Sequence, residues 1–146
     1  MSKGTFGIGC DHAGFELKTK VVELLNKEGY AVEDFGCNSE ESVDYPDHAH
    51  PLAKAIIAGK VQKGIAICGS GNGINITMNK YAEIRSALCW TEELAQLARS
   101  HNNANVLAIP ARFIAADLAL NIVRTFINTD FEGGRHQRRI DKISGI

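Results

Sequence analysis

Short runs of β-branched and apolar residues alternate with segments of helical periodicity along the whole chain, and that rhythm limits the possible folds more than any other feature. Thr5 to Cys10 reads as a first strand. Phe15 to Glu28 reads as a helix with Leu17, Val21, Leu24 and Leu25 on one face, ended by Gly29, since glycine takes the left-handed conformation at little steric cost. Tyr30 to Phe35 is a second strand. Residues 36–47 form a polar, acidic connection without Lys or Arg, in which Asp47 is expected to cap a helix running to about Ala58 and stopped by Gly59. Gly64 to Cys68 is a third strand, followed by a glycine-rich turn, Gly69 to Gly73, and a helix to about Asn79. Arg85 to Trp90 is a fourth strand. Thr91 opens a helix with Glu92 and Glu93 in its first turn and an apolar line of Leu94, Leu97, Ala98 and His101. Asn105 to Ile109 is a fifth strand closed by Pro110, and Ile114 to Asn128 is a strongly apolar helix. Gly133-Gly134 breaks the pattern before a short basic helix, Arg135 to Ile143.

Strand–helix alternation of this kind implies an α/β fold, a parallel sheet with helices on both faces. Right-handed crossovers favour a doubly wound, Rossmann-like arrangement of the five strands. The 146 residues suit a single domain over 1–146, with 133–146 as a basic C-terminal tail. No apolar stretch is long enough for a transmembrane helix. Met1-Ser2-Lys3-Gly4 runs straight into the first strand without the features of a signal peptide, so a cytosolic, non-membrane protein is expected. Net charge is −1, but residues 1–132 carry −4 and residues 133–146 carry +3. That balance lacks the broad basic surface of a nucleic-acid binder. The basic tail is read either as a solvated terminal helix or as a grip on a small anion. Cys10, Cys37, Cys68 and Cys89 show no C-x-x-C spacing, so they are expected to be free thiols rather than zinc ligands or a dithiol. Cys10, Cys37 and Cys89 read as buried structural residues.

Open parallel sheets bind ligands beyond the carboxyl ends of their strands. Three groups collect there: Asp11-His12 after strand one, Cys68-Gly69-Ser70-Gly71-Asn72-Gly73 after strand three, and Arg112 after strand five. Gly69, Gly71 and Gly73 clear side chains away so that backbone N–H groups can approach an anion at a helix start. Tight strand-to-helix packing explains the same glycines. A thiol with an ordinary pKa of about 8.5 is only ~3% ionised at pH 7, and a helix N-terminus favours the thiolate that could act as a base for a carbon-bound proton. A buried structural cysteine at Cys68 is the other reading. His48 and His50 are read as surface residues. His101 and Asn102 end the fourth helix, near the opposite edge of the sheet from Cys68, so they are either a helix cap or a donation to a neighbouring subunit's site. Arg135 and Arg139, four apart on one helical face, suit bidentate capture of a phosphate; Arg138 points elsewhere.

These motifs together resemble the B-type ribose-5-phosphate isomerases, in the sugar-phosphate isomerase group that includes galactose-6-phosphate isomerase subunits. The resemblance covers nearly the whole chain. It rests on Gly9 to Gly14, Asp44-Tyr45-Pro46, Ile67 to Gly73, Asn79-Lys80, Ser100-His101-Asn102, Asn105-Val106-Leu107 and Glu132 to Gln137. It implies interconversion of ribose 5-phosphate and ribulose 5-phosphate through an enediolate, with no metal or other cofactor. Carried over by motif, Cys68 is the base, Ser70 assists proton transfer between substrate oxygens, and the backbone of Gly69, Ser70, Gly71, Asn72 and Gly73 holds the enediolate. His101 is the acid that opens the furanose ring. Asp11, His12 and Asn102 contact the sugar or assist opening. Arg112, Arg135 and Arg139 grip the phosphate. One branch of the family uses a glutamate just after the glycine turn as base; Ile74 stands there in this chain, which leaves Cys68. The resemblance also implies a homodimer with shared sites, with a tetramer as a further arrangement. A 6-phosphohexose isomerase (galactose or allose 6-phosphate) and a non-catalytic, flavodoxin-like phosphosugar-binding module are the alternatives.

Overall fold

The structure, a computed structural model, describes residues 3–145; Met1 and Ser2, part of the N-terminal stretch read above, and Ile146 lie outside the described residues. Five parallel strands, β1 (Thr5–Cys10), β2 (Ala31–Asp34), β3 (Lys63–Cys68), β4 (Ser86–Leu88) and β5 (Val106–Pro110), form one sheet in the order β2-β1-β3-β5-β4. The register pairs Cys10 with Ile67 and Cys68 with Pro110, so the carboxyl ends of the three central strands lie level.

Side-chain alternation in β3 divides the interior. Ile65 and Ile67 join one core with Phe6, Ile8, Leu107 and Ile109, beneath α1 (Phe15–Lys27), α4 (Glu92–Ser100) and α5 (Ala116–Asn128). Ala66 and Cys68 face the other core, with Leu52, Ile74 and Met78 of α2 (Pro46–Ile57) and α3 (Asn72–Met78). A last helix, α6 (Arg135–Asp141), lies outside both cores. Full burial of a side chain the size of Ile67 contributes roughly 1.5–3 kcal/mol, which is why the central strands can be almost wholly apolar. β1 carries glycine where α2 rests on it: a Cβ at Gly9 would stand 2.7 Å from the His48 carbonyl oxygen.

Local signals and tertiary packing part company in four places. Asp47 does not cap α2; it sits in the first turn, exposed, while Tyr45 holds the cap position and Pro46 opens the helix with the fixed φ that suits it. β4 keeps only three of the six expected residues. In α4 the helix buries Ala95, Ala98, Arg99 and Ser100, while Leu94 and Leu97 of the apolar line stay exposed. His48 is half-buried rather than a surface residue, its Nδ1 2.9 Å from the Phe35 carbonyl; His50 is exposed as expected. All four cysteines are free and buried.

Candidate active site

The chain leaves β1 toward α1 on one face and leaves β3 toward α3 on the other, so a crevice opens between the carboxyl ends of these neighbouring strands. Asp11 and His12 form one wall. The Asp11 N–H donates to the Ile67 carbonyl at 3.2 Å, and its carboxylate accepts the Ala13 N–H at 3.0 Å, capping a single 3-10 turn, His12–Gly14. Gly14 lies so close over β3 that a Cβ there would meet Ile67 Cγ2 at 2.6 Å. His12 Nδ1 accepts the Val43 N–H at 3.1 Å, so in the neutral ring the proton sits on Nε2.

The glycine-rich turn forms the other wall. Cys68 is the last residue of β3 and 4% exposed. Gly71 has φ +77°, and the space a Cβ would take there belongs to Leu88, whose Cδ1 would be 2.4 Å away. That positive φ bends the chain so that α3 starts immediately, with the Asn72 N–H bonded to Ser70 Oγ at 3.2 Å. Arg112 lies across the turn: its N–H donates to the Gly69 carbonyl at 3.0 Å, and its Cδ is 3.2 Å from where a Gly69 Cβ would be. The ring of Tyr45 covers Gly73, approaching to 2.4 Å of the position a Cβ would take. Asp11, His12, Cys68, the turn and Arg112 are therefore gathered at one end of the sheet.

His101, Asn102, Arg135 and Arg139 are gathered elsewhere. Parallel pairing sets Val106, shortly after Asn102, level with Gly64, four residues and roughly 13 Å below Cys68 along the sheet. Among the described residues no hydrogen bond, ion pair or ring contact joins this second group to the first. A cleft of about 510 Å³ lies here, lined by Leu94, Leu97, His101, Asn102, His136 and Arg139. Arg99, in the last turn of α4, is buried. The guanidinium is 6% exposed and donates to the carbonyls of Thr129 at 3.2 Å and Ala104 at 2.7 Å, tying the end of α4 to the segment after α5.

Two residues in this second group received no role from sequence reasoning. The His136 ring stacks on His101, centroids 4.1 Å apart and planes 14° from parallel. Glu132 stands with a carboxylate oxygen 3.5 Å from His136 Nε2, and its own N–H donates to the Ser100 carbonyl at 3.0 Å. Burial holds the His136 imidazole below its ordinary pKa, as do His101 and Arg135, with Glu132 acting in the opposite sense and Arg139 adding to the depression. His101, Glu132 and His136 offer ligand atoms within 4.8 Å of one another, the one such trio among the described residues. Nearly parallel rings aim their lone pairs along parallel planes, so the rings would have to splay before they could share a metal ion.

The comparisons agree with the fold. Residues 6–143 match the model of the family described as Ribose/Galactose Isomerase. The chain is 46% identical to ribose-5-phosphate isomerase B of Escherichia coli over 146 residues, all of this chain and 97% of that one. A crystal structure of a ribose 5-phosphate isomerase from Thermotoga maritima superposes with a TM-score of 0.95 at 51% identity, covering 99% of each chain. The enzyme from Mycoplasma genitalium, solved with bound ribulose-5-phosphate, superposes with a TM-score of 0.91 at 41% identity over 98% of this chain and 95% of that one. The chain belongs to the ribose/galactose isomerase family.

Proposed function

We propose that the protein is an aldose–ketose isomerase interconverting ribose 5-phosphate and ribulose 5-phosphate, and that Cys68 is its base. The observation that carries the residue assignment is the position of the Cys68 thiol: the last side chain of a buried central strand, at the sheet's switch point, entering a turn of backbone N–H groups. The reaction moves hydrogen between adjacent carbons of one molecule with no net oxidation, so it requires no external electron acceptor.

Each step has a group at hand. His101 gives a proton to the furanose ring oxygen as the C1 hydroxyl loses its own, and the open aldehyde results. The Cys68 thiolate takes the C2 proton, and the electron pair becomes the C1–C2 double bond of an enediolate. Backbone N–H groups of Gly69 to Gly73 face the charge that develops on oxygen, where fixed donors stabilise a transition state most. Ser70 relays a proton from the C2 oxygen to the C1 oxygen, and Cys68 returns its proton to C1. Asp11, His12 and Asn102 hold hydroxyls. Arg112, Arg135 and Arg139 neutralise the phosphate.

A complete site needs both groups of residues, and one chain keeps them at different levels of the sheet. We therefore propose a homodimer in which His101, Asn102, Arg135 and Arg139 of one protomer complete the crevice of the other. Trp90, Leu94, Leu97 and Phe113, large apolar side chains left 38–61% exposed, supply surface for the pairing. The direct test is a substrate panel in EDTA: ribose 5-phosphate, allose 6-phosphate and galactose 6-phosphate. Ribose 5-phosphate should give the highest kcat/KM. A hexose phosphate turned over faster would reassign the substrate, and binding without C2 proton exchange into solvent would make the protein a binding module. Cys68→Ala should lower turnover roughly 10²–10⁴-fold, the scale of a lost general base, while still binding ribose 5-phosphate. Undiminished turnover would remove Cys68 as base.

A further inference from the structure

Resting on that reading, we propose that Arg85, at the entrance to β4, is a positioning residue for the donated half of the site: its guanidinium grips the backbone that carries His101 and Asn102 and sets where they meet the other protomer's crevice. Arg85 Nε donates to the Asn102 carbonyl and Nη2 to the Asn103 carbonyl, each at 3.0 Å, so one planar fork holds two successive peptide groups. These carbonyls lie just past the end of α4, where helix carbonyls lack partners of their own and the negative end of the helix dipole favours a cation. The fork is mounted on a fixed base. The Arg85 N–H donates to Asn105 Oδ1 at 2.8 Å, its carbonyl accepts the N–H groups of Asn105 at 3.0 Å and Val106 at 3.3 Å, and Asn105 Nδ2 donates to the Glu83 carbonyl at 2.9 Å.

The held segment needs such a grip. Asn103 has φ +46°, the one non-glycine residue with a positive φ among the described residues, in a region that asparagine tolerates better than most side chains but still at a cost. There the chain turns back on α4: the Asn103 N–H donates to the Arg99 carbonyl at 3.2 Å and the Ala104 N–H to the Ala98 carbonyl at 2.9 Å. Arg99 secures the Asn103 side chain and the Ala104 carbonyl from the α4 side, while Arg85 alone among the described residues reaches the Asn102 and Asn103 carbonyls. A cavity of about 480 Å³, lined in part by Ile84, Arg85, Ser86, Asn102 and Ala104, adjoins the grip, so the segment has room to shift once the fork is gone. The side chains of His101 and Asn102 line the neighbouring cleft, and a displacement of about 1 Å at groups that meet a reacting substrate costs on the order of 100-fold in rate. Arg85 thus acts through the backbone of the segment rather than on the sugar.

Two variants and a mixing experiment test this. Arg85→Met keeps most of the side-chain length and removes the fork; Arg85→Lys keeps the cation but concentrates it at one point. In amide hydrogen exchange, Asn103 and Ala104 should exchange at least about tenfold faster in the Met variant, while Cys89, bonded to the Ala108 carbonyl beyond the far end of β4, stays as it is. The kcat of the Met variant on ribose 5-phosphate should fall roughly 10- to 100-fold, and KM, set chiefly by Arg135 and Arg139, should change less than about threefold. The Lys variant should fall between wild type and Met in both measurements. Subunit exchange then assigns the loss to one half of the site. Mixed with Cys68→Ala protein, the Met variant should bring activity back to roughly a quarter of wild type, because one site in each mixed dimer is whole; mixed with His101→Ala protein it should bring back nothing. Unchanged amide exchange at Asn103 and Ala104, an undiminished kcat, or recovery with His101→Ala in place of Cys68→Ala would each overturn the proposal. A Met variant that does not fold leaves the Lys variant to be judged by the same exchange and mixing outcomes. Wild-type protein that turns over no sugar phosphate would instead overturn the isomerase reading, and Cys68→Ala and His101→Ala proteins that fail to complement each other would overturn the shared site; in either case the amide exchange still reports whether Arg85 holds the segment.

Discussion

The crevice around Cys68 and the cleft around His101 are built on different principles. The first is made at the ends of central strands, where Asp11, Cys68 and Pro110 are buried and the backbone is pinned by hydrogen bonds from Asp11 to Ile67 and from Arg112 to Gly69. The second is made at the periphery, from the end of α4 and a short terminal helix, and its phosphate-binding candidates Arg135 and Arg139 are exposed. Charge stabilisation by backbone donors requires a rigid frame, and only the sheet provides one. Recognition of a phosphate tolerates longer, more mobile side chains, and a peripheral arm can present them to another protomer.

The sharpest way to break this contrast is a mixing experiment. Cys68→Ala and His101→Ala homodimers should each be nearly inactive. After exchange of subunits, half of the dimers are mixed, and one of the two sites in each is intact if the two groups come from different chains. Roughly a quarter of wild-type activity should return; no recovery would mean that both groups serve the same chain's site. Next in size, Arg135→Ala and Arg139→Ala should each raise KM for ribose 5-phosphate roughly 10- to 100-fold with a smaller change in kcat, as expected for a lost charge-assisted bond to a non-reacting part of the substrate. An unchanged KM would make the tail a solvated helix. A last effect, on stability rather than on turnover, concerns the thiols beneath the two regions. Burial, and for Cys10 also the neighbouring Cys37, pushes Cys10 and Cys89 up to about 12. In the unfolded chain such thiols ionise near 8.5, so the stability tied to their protonated form is complete below that pH and is lost as pH rises toward 12, at roughly 1.4 kcal/mol per pH unit for each thiol. Urea unfolding across that window should show the decline, and Cys10→Ala with Cys89→Ala should flatten it.

Much of the frame could be read along the chain. The limits of β1, the start of α1, the stops at Gly29 and Gly59 and the Thr91 cap depend on signals a few residues apart; Gly29 and Gly59 take φ of +96° and +78°, and Thr91 Oγ1 accepts the Leu94 N–H at 3.1 Å. The crevice was legible for the same reason, because Asp11-His12 and the glycine turn each follow a strand directly. What stayed hidden depends on contacts between distant segments. Tyr45 covers Gly73 from 28 positions away, and His136 meets His101 across 35. No periodicity marks either partner. The motifs containing them, Asp44-Tyr45-Pro46 and Glu132 to Gln137, carried the resemblance without showing which side chain turned inward. Leu94 and Leu97 misled in the opposite sense, since an apolar line on a helix does not say whether the surface it meets belongs to the same chain.

The contact between Leu88 and Gly71 has an evolutionary consequence. The edge strand's leucine fills the hollow left by the missing side chain of the turn, so the two positions cannot drift independently. A bulkier neighbour would press on the glycine-rich turn and a smaller one would leave a void beneath it. A change of sugar preference during divergence is therefore expected to arise in the outlying loops and the terminal arm, leaving this pair of residues as they are.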